Sequence, residues 1–355
     1  MHYALCIMHS KRREGLPVSK ESCPVQEKFK TMIGGQALIE GIMMRGPESQ
    51  AIVVRSPKEG LVEKLDPLKK KTGILTWPMI RGIVNFGGSM ISGVKSLMWS
   101  AEKADLDDGQ TNEEPSKLDQ WLEKKLGSEK FMSVVVTFAV ILGLGFSLLL
   151  FFLLPMLLGN LLQRLTGCGV VLQHLAEGLF RIVIFLGYMI LISRMKDMRR
   201  VFSYHGAEHK TIRCYEAKLP LTVENVRTMT RKHPRCGTSF LFVVMALSIL
   251  LFTVISALLN QLIPGLAVLQ QNSRVLYNLL MMAVKLLVML PLVVSVSYEI
   301  NRFVGRHDNA FTRFLTAPGL WFQNFTTNEP DDSMIQVAIR ALELVLPEQE
   351  GADKW

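Results

Sequence analysis

The chain has 355 residues, 49% of them hydrophobic and 20% charged, with a formal net charge of +9 and five cysteines. High apolar content beside high charge indicates segregated apolar and polar segments and argues against a single water-soluble core. The odd cysteine count, without a Cys-x-x-Cys pair, excludes a disulfide framework, and basic residues gathered between apolar runs fit orientation in a membrane and not nucleic-acid binding.

Residues 1–30 read as a flexible extension, because the apolar stretch from Tyr3 to Met8 is too short for a signal peptide and precedes Lys11-Arg12-Arg13. Residues 31–73 read as a small β-rich region. Residues 51–55 and 61–65 flank Pro57-Lys58-Glu59-Gly60 as a hairpin, and the segment from Gly34 to Gly41 adds another strand. Its glycines lack the Gly-Lys-Ser/Thr ending of a phosphate loop. In residues 74–100, Arg81 and Lys95 bracket only 13 uncharged residues, too few to span a bilayer. That segment reads as an interfacial or docked helix, or as a helical hairpin crossing at its glycines. Residues 101–130 form an acidic linker.

Residues 131–298 form the membrane domain. Apolar stretches at 132–158, 175–193, 239–260 and 275–298 reach or nearly reach the roughly 20 residues that a spanning helix needs. The loop 194–237 holds 11 Lys or Arg against four Asp or Glu, whereas 159–174 holds only Arg164 and 261–274 only Arg274. The Lys/Arg excess marks cytoplasmic loops, so this loop and both termini are expected on the cytoplasmic side. In the cytoplasmic C-terminal region, 299–355, Pro318-Gly319-Leu320-Trp321 reads as a turn with an aromatic anchor. Pro330-Asp331-Asp332 opens a helix with Met334, Val337, Ala338, Ala341, Leu344 and Val345 on one side. The expected fold is an α-helical integral membrane protein with about four transmembrane helices, a small N-terminal β-containing cytoplasmic region and a helical C-terminal cytoplasmic region. No internal repeat is visible.

The chemistry concentrates at His205-x-x-Glu208-His209. On a helix these positions share one face, with the two imidazoles about one turn apart. That pattern suits a divalent metal, zinc first, with Glu208 as general base or ligand. The second span is expected to continue as a helix into this motif. Glu216 lies too far along the helix to join the same ion, and Cys214 points away, so further ligands must come from elsewhere. His233 and Cys236, in His233-Pro234-Arg235-Cys236-Gly237, are the leading candidates, and Glu40 and Glu299 are weaker ones. A buried structural role for Cys236, and histidines that only tie loops together, are the plain alternatives. Lys285, midway along the fourth stretch, marks either a substrate path or a pair with Glu177. Lys196, Arg199 and Arg200 suit contact with anionic lipid headgroups.

The run from Gly34 to Gly46, which ends in Met43-Met44-Arg45-Gly46, resembles the N-terminal signature of the YqhQ family of bacterial membrane proteins. So does Tyr204-His205-Gly206-Ala207-Glu208-His209-Lys210. His233 to Ser239, Tyr298-Glu299, Pro318 to Trp321 and Thr326-Thr327-Asn328-Glu329-Pro330 extend the likeness across about residues 34–346. The resemblance implies a polytopic inner-membrane protein and draws attention to Arg45. Its family is a domain of unknown function, described as predicted metal-dependent enzymes.

Three functions follow as expectations. The first is a metal-dependent, hydrolytic membrane enzyme with its site at the cytoplasmic face, near lipid-linked substrates. The second is a non-catalytic scaffold or assembly factor that binds a protein partner. The third is an oligomeric transporter or flippase that uses Lys285.

Overall fold

The computed structural model describes residues 30–69, 71–104, 128–307, 309–349 and 351–354. The expected N-terminal extension, apart from Lys30, and the acidic linker over 105–127 lie outside the described residues.

Four strands open the fold: β1 (Gly34–Leu38), β2 (Gly41–Arg45), β3 (Ser49–Ser56) and β4 (Gly60–Pro67). They form an antiparallel meander in sequence order. The hairpin expected over 51–65 is β3–β4, closed by Gly60 at φ +76°. The segment expected to give one strand gives two, joined at Ile39-Glu40. Glu40 adopts φ +51°, unusual for a side chain with a Cβ.

Alternation along the strands fills both faces of the sheet. Ile42, Met44, Ala51 and Val53 point to one side and pack with Tyr204, Ala207, Val337 and Ala341. Leu38, Met43, Ile52 and Val54 point to the other and meet Trp99 and Ala104. The sheet is thus the middle layer between α1 (Ile80–Lys103) on one face and two later helices on the other. The segment expected as an interfacial or docked helix is α1, a single helix and not a hairpin. Gly82 lets α1 approach the fourth span closely, since a Cβ there would stand 2.9 Å from the Ser295 Cα.

Four helical segments are long and apolar enough to cross a membrane: Thr137–Thr166, Val171–Ile192, Phe240–Leu262 and Arg274–Arg306. The first comprises α2 (Ser128–Leu148), a π turn (Leu149–Leu153) and α3 (Leu154–Thr166). The second is α4 (Val170–Ile192). After α5 (Lys196–Glu216) and α6 (Val223–Thr228) comes the third, α7 (Gly237–Leu262). Then α8 (Pro264–Asn272) leads into the fourth, built of α9 (Arg274–Val284), a π turn (Lys285–Met289) and α10 (Leu290–Arg306). Each π turn directly precedes a proline-bearing turn, at Pro155 and Pro291. Proline lacks an N–H and crowds the carbonyl four residues back, and the wider turn relieves that conflict. The Phe151 carbonyl, orphaned by Pro155, instead accepts from Arg181 Nε at 2.9 Å.

Two sequence expectations are corrected. The second span does not run on into the His motif. It stops at Ile192, and Met195, in extended backbone at ψ 138°, starts α5 as a separate helix. Pro318 is not in a turn but inside α11 (Ala310–Thr326). Burial of Thr316, Gly319, Phe322 and Gln323 holds that helix together despite the missing rung. The last helix, α12 (Asp332–Glu343), begins as expected, with the Asp331 carboxylate accepting from the Met334 N–H at 2.9 Å. It packs with α5 on the sheet.

Candidate metal centre

Helix α5 is the axis of the polar half of the molecule, with 11 of its 21 residues buried. The extended segment after α11 crosses it. The Asn328 N–H donates to the Phe202 carbonyl at 2.9 Å, and Asn328 Nδ2 donates to the Arg199 carbonyl at 3.0 Å. Gly206 is what permits the crossing, because a Cβ there would collide with the Asn328 carbonyl oxygen. The glycine inside the Tyr-His-Gly-Ala-Glu-His motif is therefore a packing requirement one residue from His205.

That crossing brings the Thr326 carbonyl to His205 Nδ1 at 2.8 Å. A carbonyl only accepts, so Nδ1 carries the hydrogen and Nε2 faces inward. His209 repeats the arrangement, with Nδ1 at 2.6 Å from the Arg231 carbonyl. Its Nε2 is buried and turned toward the Cys236 sulfur. The loop before α7 supplies Cys236, whose Sγ lies 3.1 Å from His205 Nε2. The ligand atoms of His205, His209 and Cys236 all lie within 4.8 Å of one another. Of the sequence candidates, these three are brought together.

Glu208 occupies the same face. Its Oε1 accepts from the Gly35 N–H of β1 at 3.0 Å, while Oε2 is buried with no hydrogen-bond partner among the described residues. Burial raises its pKa, against the lowering influence of His205 and His209. Burial would also raise the Cys236 thiol, but His205 and His209 outweigh it and hold the thiol well below its ordinary value. Burial disfavours charge on His205, yet Cys236 and Glu208 lift that ring to about 9. The cluster thus stabilises a thiolate, the ligand form of cysteine.

The remaining candidates lie elsewhere. His233 is adjacent, its ring 5.5 Å from that of His209, but its Nε2 turns to Glu216 Oε2 at 3.6 Å. Its backbone is clamped on α11: the His233 N–H donates to Gln323 Oε1 at 2.8 Å and Gln323 Nε2 donates to the His233 carbonyl at 2.7 Å. Burial and Arg235 push its pKa well below the usual histidine value. Glu216 is held by the Thr31 N–H at 2.9 Å and by Arg235. Glu40 does not approach the cluster, because its turn aims it at Arg200 (2.6 Å) and the Tyr204 hydroxyl (3.2 Å). Those bonds also hold its unusual backbone. Glu299 pairs with Arg81 at 2.7 Å. Lys285 Nζ pairs with both Glu177 oxygens at 2.8 and 2.9 Å, in a network with Arg181. Arg45 lines a cleft beside α1. Cys214 belongs to an apolar cluster with Val226 and Ile335.

Sequence reasoning missed the carbonyls of Thr326 and Arg231, the Gly35 N–H and Gln323. Three of these are backbone groups, which no residue type announces. Packing of Phe322 with Phe242 and Phe185, at centroid distances of 4.9 and 5.4 Å, fixes Gln323 beside His233.

Together these features define a class: a membrane protein with four bilayer-length apolar helices, a small antiparallel sheet and a largely buried His–His–Cys cluster. The chain belongs to the family described as "Protein of unknown function (DUF1385)", whose model matches residues 77–348. It is 31% identical over 339 residues to the uncharacterized protein YqhQ of Bacillus subtilis (strain 168), covering 90% of this chain and 94% of that one. No solved structure matches it.

Proposed function

We propose that the chain is a metal-dependent membrane enzyme of hydrolytic type, with zinc held by His205, His209 and Cys236 at the cytoplasmic face of a bacterial plasma membrane. The observation that carries this reading is the back-side hydrogen bonding of both imidazoles. Each Nδ1–H is given to a backbone carbonyl, and each Nε2 is turned toward one sulfur. That is how metal-ligating histidines are oriented and their tautomer fixed. Two nitrogens and a thiolate suit zinc, and three protein ligands match a site that keeps a position for substrate. A zinc ion there would supply Lewis acidity and a low-pKa water. Glu208, with a raised pKa and a free Oε2, is suited to take a proton from the attacking water and return it to the leaving group.

The test is metal analysis of purified full-length chain. About one zinc per chain is expected in wild type, and close to none in His205→Ala/His209→Ala or in Cys236→Ser. Folded wild type that stays metal-free after exposure to zinc overturns the reading.

The burial of His209 (1% exposed) and Cys236 (8%) favours a second reading, a closed structural site in a scaffold. Cobalt-substituted protein separates the two. A visible spectrum that shifts on adding azide supports an open, catalytic position, and an inert spectrum supports the structural one.

A further inference from the structure

Between β1, β2 and α1 lies a cleft of about 320 Å³, lined by Gly34, Gly35, Gln36, Arg45, Ser89 and Ser92 among others, with no carboxylate. We propose that this cleft binds a phosphate group, presented by a lipid headgroup or by a free phosphate compound.

Charge is the first argument. Arg45 is half-buried and pairs with no carboxylate among the described residues. Lys71 stands on the same side, its ammonium 3.6 Å from where a Cβ on Gly88, next to Ser89, would lie. Lys71 donates to Asn85 Oδ1 at 2.7 Å and to the Val84 carbonyl at 3.4 Å. An ammonium has three hydrogens, so one donor remains. Its shallow burial, and then repulsion from Arg45, lower the Lys71 pKa, and an anion between the two cations would relieve that repulsion. A guanidinium fork matches phosphate oxygens two at a time.

Shape and place are the second argument. Gly34 has open space where its Cβ would be, so backbone is accessible to a compact anion. Gln36 is braced on α1, where a Cβ on Gly93 would meet its side-chain oxygen at 2.6 Å. The neighbouring face of α1 exposes Ile83, Phe86, Met90, Ile91 and Val94, an apolar stripe suited to a bilayer surface. A phosphate at that level is what a lipid presents, and a soluble phosphate compound presents the same group. The cleft shares Gly35 with the His–Cys site through the Glu208 bond, but the proposal requires no metal.

The test uses purified full-length chain in phosphate-free detergent, titrated calorimetrically with inorganic phosphate and with dihexanoyl phosphatidylglycerol. Saturable binding of at least one probe is expected. Arg45→Gln and Lys71→Gln should each weaken it about tenfold, the scale of one lost charge-assisted bond. Arg340→Gln, which removes a cation paired with Glu63 at 2.6 Å on the far strand, should leave it unchanged. Binding of inorganic phosphate as tight as that of the lipid probe assigns a free phosphate compound. Binding of the lipid probe alone assigns a headgroup. Failure of both probes to saturate overturns the proposal, as does wild-type affinity in both cleft variants or equal weakening in Arg340→Gln. Lys71 is solvent-exposed, so Lys71→Gln carries the test should Arg45→Gln misfold.

Discussion

Two cysteines on or beside α5 behave oppositely because their neighbours differ. Cys236 faces imidazoles, which favour its thiolate. Cys214, five residues past His209, is enclosed by Val226, Ile335 and Ile339. Its Sγ reaches only the Pro220 carbonyl at 3.6 Å and the Leu219 carbonyl at 4.0 Å. Burial pushes the Cys214 thiol up to about 11 from 9.0. The folded chain therefore keeps a proton that the unfolded chain releases near pH 9. The stabilising difference is present below pH 9 and is lost as pH rises toward 11. Two pKa units correspond to at most about 2–3 kcal/mol. Melting curves at pH 8, 9 and 10 should show a steeper alkaline fall in wild type than in Cys214→Ala, and parallel falls would refute this. At this scale the sequence pointed to three side chains that the fold does bring together, His205 and His209 by their spacing and Cys236 by its chemistry. It misassigned Glu40 and Glu299, because a carboxylate near a site by topology is captured by whichever cation packs closest, Arg200 in one case and Arg81 in the other.

At the scale of elements, the candidate site depends on one crossing. The segment between α11 and α12 lies over α5 only because Gly206 has no side chain, and Thr326, the α11 residue from which that segment departs, carries the carbonyl that orients His205. Gly206→Ala should therefore act twice. It lifts the crossing segment, at about the 1–3 kcal/mol typical of overpacking, and it frees the His205 ring, so that zinc affinity falls with stability. Gly87→Ala is the control. It has open space around it on α1 and should be neutral or stabilising by up to about 1 kcal/mol from helix propensity. Paired measurements of melting temperature and zinc affinity would sink the argument if Gly206→Ala lost neither. Helix periodicity foretold the elements on either side but not this contact. It joins positions more than a hundred residues apart, through a backbone oxygen and an absent methyl group. The break at Met195 escaped for a related reason: Ser193-Arg194-Met195 contains no proline or glycine that would mark a helix end.

At the scale of the molecule, apolar length made the four long helices legible, and alternation made the sheet legible. How α1, α5 and α12 assemble around the sheet was not, since amphipathic helices record that they bury a face but not against which partner. Orientation in the bilayer remains a property of charge. The 11 basic residues in 194–237, against single arginines in the two opposite connections, predict that the sheet, α5 and the His–Cys cluster share the cytoplasmic side. Cys168, partly exposed in the connection between α3 and α4, is a native reporter for the other side. A membrane-impermeant maleimide should label Cys168 in intact cells, and Cys168→Ser should abolish that signal. In a background with Cys6, Cys23 and Cys168 all changed to Ser, Glu224→Cys on the exposed side of α6 should be labelled only after permeabilisation. The reverse pattern would place the cluster outside the cell, where a cytoplasmic substrate could not reach it. The argument from loop charge and the assignment of a cytoplasmic hydrolase would then fail together, while the metal-binding measurement would stand untouched.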